Sequence, residues 1–215
     1  MTEREPPLVE PPFDDPESDR PRVAGVLLAA GTSSRFGEAN KLLATHDGDP
    51  LVRHAARTLL DAGVDPVAVV VGHEADRVVD ALDGLDVTFV RNPDYRKGQA
   101  TSVRAGIDAV RDRGDTHDAP DAAVVALGDM PFVDPETIGT LVVAYAAGVG
   151  DALAAAYEGT RGNPVLFDRR FFGDLTDVSG DVGGRAILLE SDDSARVAVS
   201  DSGVRRDVDE RSDLP

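Results

Sequence analysis

The first 21 residues differ in pattern from the rest of the chain. Residues 1–21 are rich in proline and acidic side chains and have almost no apolar periodicity, which is typical of a flexible segment. From Arg22 onward, short apolar runs alternate with stretches whose apolar residues recur at helical spacing. The sequence therefore predicts a flexible tail over residues 1–21 and a single folded domain over residues 22–215.

Within the predicted domain, the apolar runs indicate strands and the periodic stretches indicate helices. Strands are expected at Val23–Ala29, Pro66–Val71, Val87–Val90 and Ala122–Leu127, and helices at Leu51–Leu60, Glu74–Leu82, Gln99–Arg113 and from Pro135 onward, with Asp134 as the N-cap. Continuous apolar strands that alternate with helices predict a parallel sheet covered on both faces.

After about Gly150 the alternation becomes less regular. Ala152–Tyr157, Pro164–Phe167 and Ala195–Val199 have the composition of strands, but they need not all be parallel. The predicted fold class is α/β: a three-layer α/β/α sandwich with a mostly parallel, Rossmann-like sheet and a mixed edge.

The charge of the chain restricts its partners. The formal net charge is −18, from 30 Asp and 10 Glu against 20 Arg and only 2 Lys. Such self-repulsion is tolerated where salt screens charges over about 3 Å, as at 1 M, and is typical of halophilic proteins; we therefore expect salt-dependent stability. The charge also argues against nucleic-acid binding through a basic surface, and any polyanionic ligand needs a local cationic site.

Other compositional features exclude further classes. The chain contains no cysteine, which excludes disulfides, iron–sulfur clusters, thiolate zinc sites and cysteine nucleophiles. No apolar run is long enough to span a bilayer, so no membrane partner is expected. Glu3, Glu5 and Glu10 lie where a signal peptide requires a basic and then an apolar stretch. The expected location is the cytoplasm.

The segment after the first predicted strand has the composition of a phosphate-binding loop. It reads Ala29-Ala30-Gly31-Thr32-Ser33-Ser34-Arg35-Phe36-Gly37, and Lys41 follows shortly after. Ligands of open α/β sheets collect at the carboxyl ends of strands; small residues let backbone amides approach a phosphate, and Arg35 and Lys41 supply positive charge. The loop is neither a Walker A motif nor a G-x-G-x-x-G dinucleotide motif, and an ordinary connection remains an alternative.

A second segment at the same predicted edge carries an acidic side chain. Leu127-Gly128-Asp129-Met130-Pro131 follows the strand Ala122–Leu127. A carboxylate there, in a turn stiffened by proline, is suited to hold Mg²⁺ against phosphate oxygens. A simple turn aspartate remains an alternative.

Four ordered segments together resemble one known family. Ala29 through Lys41, Gly98-Gln99-Ala100-Thr101-Ser102, Gly128 through Pro131 and Arg161-Gly162-Asn163-Pro164-Val165 resemble the MobA-like nucleotidyltransferases, and among them the molybdenum cofactor cytidylyltransferases. The resemblance runs from about Val23 to Leu214. It implies a fold of the nucleotide-diphospho-sugar transferase type.

The resemblance also implies roles for individual residues. It places Ala29, Ala30, Gly31, Arg35 and Lys41 at the triphosphate. It places Gln99 and Ser102 near the base and ribose, and it makes Asp129 the first Mg²⁺ ligand. Asp209 corresponds to a second metal ligand, although Glu210-Arg211-Ser212 replaces the family's usual Thr-Pro-Glu and a charged residue in a fraying tail is the alternative. Asn163, Gly183 and Arg185 lie toward the acceptor, where the glycines of residues 180–184 could instead merely break the chain.

The implied reaction is attack of an acceptor phosphate on the α-phosphorus of a nucleoside triphosphate, with release of pyrophosphate. Arg35, Lys41 and Asp129 would act by positioning and charge stabilisation. Guanylyl-transferring members carry a second glycine where this chain has Ala30, and Gly-Pro where it has Gly98-Gln99, so the resemblance favours CTP.

The implied acceptor is molybdopterin, with a molybdoenzyme or its chaperone as a recipient. Other functions stay open: GTP in place of CTP, another acceptor such as a sugar phosphate or methylerythritol phosphate, and a non-catalytic protein that binds nucleotide or cofactor. An ordinary dehydrogenase-like dinucleotide binder is disfavoured, because the chain lacks the glycine motif of that class.

Overall fold

The computed structural model describes residues 5–14, 20–32, 36, 40–111, 119–177 and 184–214. Its strands are β1 Leu8–Val9, β2 Val23–Ala29, β3 Thr45–His46, β4 Asp49–Pro50, β5 Val67–Val71, β6 Thr88–Arg91, β7 Ala122–Leu127, β8 Ala152–Tyr157, β9 Thr160–Asp168 and β10 Ser194–Ala198. Its α-helices are α1 Leu51–Asp61, α2 Ala75–Ala81, α3 Gln99–Arg111, α4 Pro135–Ala146, α5 Phe172–Asp177 and α6 Arg185–Glu190. Short 3₁₀ helices include Lys41–Leu43, Tyr95–Lys97 and Ser202–Arg205.

Eight of these strands form one sheet in the order β1-β10-β8-β9-β7-β2-β5-β6. All neighbouring pairs are parallel except those made by β9, which is antiparallel to both β7 and β8. The predicted α/β class with a mostly parallel, mixed sheet is therefore confirmed. The antiparallel strand lies inside the sheet rather than at its edge, because β9 returns directly from β8 through a tight turn at Glu158 and Gly159.

Helices cover both faces of the sheet. One face packs against the apolar sides of α1, α2 and α4, through side chains such as Val52, Val78 and Leu141. The other face packs against α3, α5 and α6, through side chains such as Ile107 and Leu175. Every residue of β2 and β5 is buried, as expected for strands covered on both faces. No helix in the described part of the chain combines the length and apolar character needed to cross a bilayer.

The prediction of a flexible tail over residues 1–21 is wrong for Leu8–Val9. These two residues form β1 and pair in parallel with β10, with Leu8 opposite Arg196. The Arg196 side chain fixes the preceding residues: it donates from Nε to the carbonyl of Pro6 and lies 2.8 Å from a carboxylate oxygen of Glu5. An edge strand offers unpaired backbone groups, and composition alone does not indicate which distant segment pairs with them.

The carboxyl ends of β2 and β7 meet at the same edge of the sheet. Leu28 lies opposite Leu127, and the amide of Gly128 donates to the Leu28 carbonyl at 2.9 Å. A Cβ at Gly128 would lie only 3.1 Å from that carbonyl oxygen, so a larger residue would push the two loops apart. The segments after β2 and β7, which carry the candidate chemistry, are therefore held together by the sheet itself.

Candidate nucleotide and metal site

A cavity of about 670 Å³ opens at the carboxyl ends of β2 and β7. Among the predicted site residues, it is lined by Ala30, Gly31, Lys41, Gln99, Ser102 and Asp129. Ala29 is buried at the end of β2, one residue behind this wall. Arg35 lies outside the described residues. The cavity thus brings together side chains that are far apart in the sequence.

The most specific contact in the site is made by Lys41. Its Nζ lies 2.7 Å from Oδ2 of Asp129 and 2.8 Å from Oδ1 of Asp209. The exposed fractions of the three side chains are 14%, 22% and 33%, in that order. One ammonium group therefore lies between two carboxylates in a partly desolvated position, where charge interactions are stronger than at the open surface.

The backbone at Lys41 is held in place by its neighbours, whereas the lysine side chain is long and flexible. The buried side chain of Asn40 caps the 3₁₀ helix Lys41–Leu43 by accepting a hydrogen bond from the amide of Leu42, and Leu42 is buried below it. Partial burial lowers the pKa of Lys41, but Asp129 and Asp209 outweigh this effect and raise the pKa above the ordinary lysine value. Lys41 is thus a permanent cation at neutral pH.

Asp209 does not lie in a fraying tail. The neighbouring Val208 is buried, and its amide donates to the carbonyl of Asp129 at 2.9 Å. The amides of Asp209 and Glu210 both donate to a carboxylate oxygen of Asp213. This capped turn holds the C-terminal segment against the loop after β7, although its sequence departs from the family pattern.

The two carboxylates are suited to bind a divalent cation whose remaining coordination positions are filled by a bound ligand. Asp129 and Asp209 direct oxygens toward the same cation, here the Lys41 ammonium. Mg²⁺ is commonly bound by one or two carboxylates together with waters and substrate phosphates. Among the described residues, no group of three or more histidine and acidic side chains is placed to hold a metal. The donor set therefore fits a metal shared with a phosphate ligand rather than a cage made by protein alone.

The N-terminus of α3 forms another wall of the cavity. Gln99 is exposed at the first residue of this 13-residue helix, and Ser102 is buried one turn later. Asn92, which follows β6, donates from Nδ2 to the hydroxyl oxygens of Thr101 and Ser102, at 2.9 and 3.0 Å. The Thr101 hydroxyl donates in turn to the carbonyl of Gly98 at 2.9 Å, whereas the Ser102 hydroxyl still carries a proton that a ligand could accept. A helix N-terminus also favours anions.

Sequence reasoning missed several residues of this cavity, namely Thr32, Tyr95, Arg96 and the supporting Asn92. Tyr95 fits because Gly72 has no side chain: a Cβ there would lie 2.8 Å from Tyr95 and 2.9 Å from the Cβ of Ala30. The rarity of lysine was a usable signal, since the only two lysines of the chain, Lys41 and Lys97, both line this cavity.

A second cavity of about 250 Å³ adjoins the first. The two share Leu28, Gln99 and Leu127 as lining residues. Among the residues predicted to face an acceptor, Asn163 and Arg185 line the second cavity, whereas Gly183 lies outside the described residues. Its other walls combine the apolar side chains of Val103, Val165, Phe167 and Leu188 with the charged side chain of Arg161.

Comparison with known proteins agrees with this geometry. The family model of the MobA-like NTP transferase domain matches residues 25–195. The chain belongs to the MobA-like nucleotidyltransferase family. The family predicted from the four sequence segments is thereby confirmed.

Individual relatives of this MobA-like protein carry different names. It is 32% identical over 182 residues to the nicotine blue oxidoreductase of Paenarthrobacter nicotinovorans, covering 81% of this chain and 85% of the relative. It is 36% identical over 115 residues to a probable molybdenum cofactor guanylyltransferase of Natronomonas pharaonis, covering 53% of this chain. That alignment spans about half of the guanylyltransferase, 52% of its length.

Solved structures share the fold of the MobA-like chain. Rv0371c of Mycobacterium tuberculosis aligns with a TM-score of 0.74 and 28% identity, over 91% of this chain and 96% of that one. A nucleotidyl transferase from Methanothermobacter aligns with a TM-score of 0.74 and 26% identity, over 89% and 94% of the two chains. A further structure of the mycobacterial protein is a complex with manganese, with a TM-score of 0.70, 28% identity, and coverage of 89% and 95%.

Proposed function

We propose that the chain transfers CMP from CTP to the phosphate of a molybdopterin-type acceptor, with Mg²⁺ as cofactor and pyrophosphate as the second product. The observation that carries this proposal is that Lys41 and Asp129 line a cavity large enough for a nucleotide, while Lys41 contacts both Asp129 and Asp209. Membership in the MobA-like family supports nucleotidyl transfer as the reaction class.

In this proposal the first cavity binds the nucleoside triphosphate. Ala30 and Gly31 follow the central strand β2, so their backbone lies beside the phosphates, and Lys41 supplies positive charge there. Asp129 and Asp209 would hold the metal, and bound Mg²⁺ would neutralise charge that develops on the phosphate oxygens. Cationic side chains of Arg96 and Lys97 extend this positive wall in a chain whose net charge is −18.

The second cavity would position the acceptor. Gln99 and Leu127 line both cavities, so an acceptor bound between Phe167 and Arg185 has direct access to the bound nucleotide. A phosphate monoester is anionic at neutral pH and needs no strong general base. Catalysis would then depend on alignment and charge stabilisation, which agrees with a site built from one lysine and two aspartates.

The preference for CTP rests on two positions. The methyl group of Ala30 occupies space that a glycine would leave open, and Gln99 offers both a donor and an acceptor to a pyrimidine edge. Guanylyl transfer is the second candidate, because the Natronomonas pharaonis relative is named a probable guanylyltransferase.

One experiment decides between these functions. The purified chain is incubated in molar KCl with Mg²⁺, molybdenum-loaded molybdopterin and each of the four nucleoside triphosphates in turn. We expect pyrophosphate and a cytosine dinucleotide, identified by mass, from CTP. A guanine dinucleotide would overturn the base assignment, and pyrophosphate release from none of the four would overturn nucleotidyl transfer to this acceptor.

The experiment includes a matched pair of variants. Asp129→Asn removes a proposed metal ligand, whereas Asp76→Asn changes an exposed aspartate on α2 that pairs with Arg91. Only the first should lose pyrophosphate release. Because a relative is named an oxidoreductase, pyrophosphate is the readout that defines the reaction class.

A further inference from the structure

The Lys41 ammonium lies where a divalent cation bound by Asp129 and Asp209 would have to lie. It is 2.7 and 2.8 Å from one oxygen of each carboxylate. Mg²⁺ binds oxygens at about 2.0–2.1 Å, so a metal ion touching the same two oxygens would be in repulsive contact with the ammonium group. Lys41 in this position and a metal bound to these same two oxygens therefore exclude each other.

In the proposed function, on which this inference rests, the same lysine has a second set of partners. Lys41 lines the nucleotide cavity, where triphosphate oxygens would compete with the two aspartates for its charge. Its backbone is fixed by the Asn40 cap and by buried Leu42, but the four-carbon side chain is flexible. The ammonium can therefore change partners while the backbone stays in place.

We propose that Lys41 is a placeholder cation, which closes the Asp129–Asp209 site to free divalent ions and opens it when a triphosphate arrives. Without nucleotide, the single positive charge of the lysine partly offsets the charge of the two carboxylates. With nucleotide, its charge moves to the phosphates and the carboxylates become available to the metal. Nucleotide and metal then bind cooperatively, and each raises the affinity of the other by the same factor.

The surroundings of the pair support this role. Without the Lys41 charge, two carboxylates would face one another in a partly desolvated position, and like charges at short distance destabilise the ionised pair. Any available cation stabilises such a pair of carboxylates. Removal of the lysine should therefore increase the affinity of the pair for a metal ion.

The test measures Mn²⁺ binding in the absence of acceptor, by electron paramagnetic resonance of the free ion. It compares the wild-type chain with Lys41→Met and Lys41→Arg. Arg91→Met is the control for loss of one cation, because Arg91 is exposed on β6, pairs with Asp76 and does not line the nucleotide cavity. Without nucleotide, we expect Lys41→Met to bind Mn²⁺ about tenfold more tightly than wild type, within the usual range of coupling between ligands. Lys41→Arg and Arg91→Met should bind it as weakly as wild type.

A second series adds CTP, after the nucleotide's own Mn²⁺ affinity has been measured without protein. CTP should increase Mn²⁺ binding by the wild-type chain about tenfold and by Lys41→Met much less, because the variant has no competing cation to move. Far-UV circular dichroism and melting curves establish that each variant folds, and Lys41→Gln replaces Lys41→Met if the latter does not.

The outcomes separate this inference from the proposed function. If wild type binds Mn²⁺ with CTP but the folded Lys41→Met or Lys41→Gln chain binds free Mn²⁺ no more tightly than wild type, the placeholder role is overturned and the proposed function stands. If wild type binds Mn²⁺ neither alone nor with any nucleoside triphosphate, the metal-dependent function itself is overturned.

Discussion

The two adjoining cavities of the molecule differ in size and in the side chains that line them. The first, of about 670 Å³, is lined by backbone of the loop after β2 and by Lys41, Arg96, Lys97 and Asp129. The second, of about 250 Å³, combines apolar side chains such as Val103 and Phe167 with two arginines and, among the residues that the structure describes, has no acidic side chain at its wall. Their shared residues, including Gln99, form the boundary between them.

This difference indicates a division of labour at one edge of the sheet. A polyanion is held by charge, which the first cavity concentrates in an otherwise acidic molecule. A ring system is held by apolar contact and is oriented by a few polar groups, which describes the second cavity. If this division is correct, substitutions in the first cavity should affect nucleotide and metal, and those in the second should affect the acceptor.

The largest effect is expected from loss of the carboxylate at Asp129. Asp129→Asn should reduce pyrophosphate release by about 100- to 1000-fold, the usual loss when a group that stabilises transition-state charge is removed. The melting temperature should stay within a few degrees, because Asn keeps the shape and the backbone contact between Asp129 and Val208. Initial rates of pyrophosphate release at saturating CTP and Mg²⁺ measure the effect. Near-normal rates would show that Asp129 holds no metal.

A somewhat smaller effect is expected at Lys41, and it distinguishes charge from geometry. Lys41→Ala should lower kcat by about 100-fold, since one preorganised charge at the phosphates is lost. Lys41→Arg should retain part of the activity, because the guanidinium keeps the charge but changes its reach and shape. Rates of both variants, measured with the Arg91→Ala chain as the control for loss of an exposed cation, test this. Equal rates for Lys41→Ala and wild type would show that the first cavity does not need this cation.

Much of this architecture could be predicted from local pattern. The buried run Val23–Ala29 and the Asp134 cap appear in the structure as predicted, since burial on both faces and capping leave signals within a few residues. The interior position of β9 and the pairing of Leu8–Val9 with β10 could not be predicted, because they depend on contacts between segments far apart in the chain.

The same distinction applies to the site. Lys41 and Asp129 follow strand ends, so their placement at one edge follows from the topology of parallel strands. The contact between Lys41 and Asp209 spans 168 positions and depends on the capped turn at Asp213, which no local pattern indicates. Tyr95 was missed because its place in the wall depends on the absent side chain of Gly72.

The second cavity is tested by a change at Arg185. Arg185→Ala should raise the KM for the acceptor about tenfold, which corresponds to about 1.4 kcal/mol, since it removes a cation from the wall of this cavity only. The dissociation constant for CTP should not change, because Arg185 does not line the first cavity. Acceptor titrations and CTP calorimetry provide the two readouts, with Arg91→Ala on β6 as the arginine control. An equal loss of affinity for both substrates would contradict the division between the cavities.

The smallest effect is expected at the base, where Ala30 and Gln99 line the first cavity and Gln99 also lines the second. Ala30→Gly removes one methyl group, and a difference of this size in a binding pocket is worth about 1–3 kcal/mol of discrimination. The ratio of kcat/KM for CTP over GTP should therefore fall about tenfold or more, mainly because GTP improves. A matched change, Ala100→Gly, alters an alanine of α3 that is buried and does not line either cavity, and it should leave the ratio unchanged even if it lowers stability. A ratio that stays constant in Ala30→Gly would mean that the methyl group does not contact the base, and selection of the nucleotide would then rest on Gln99.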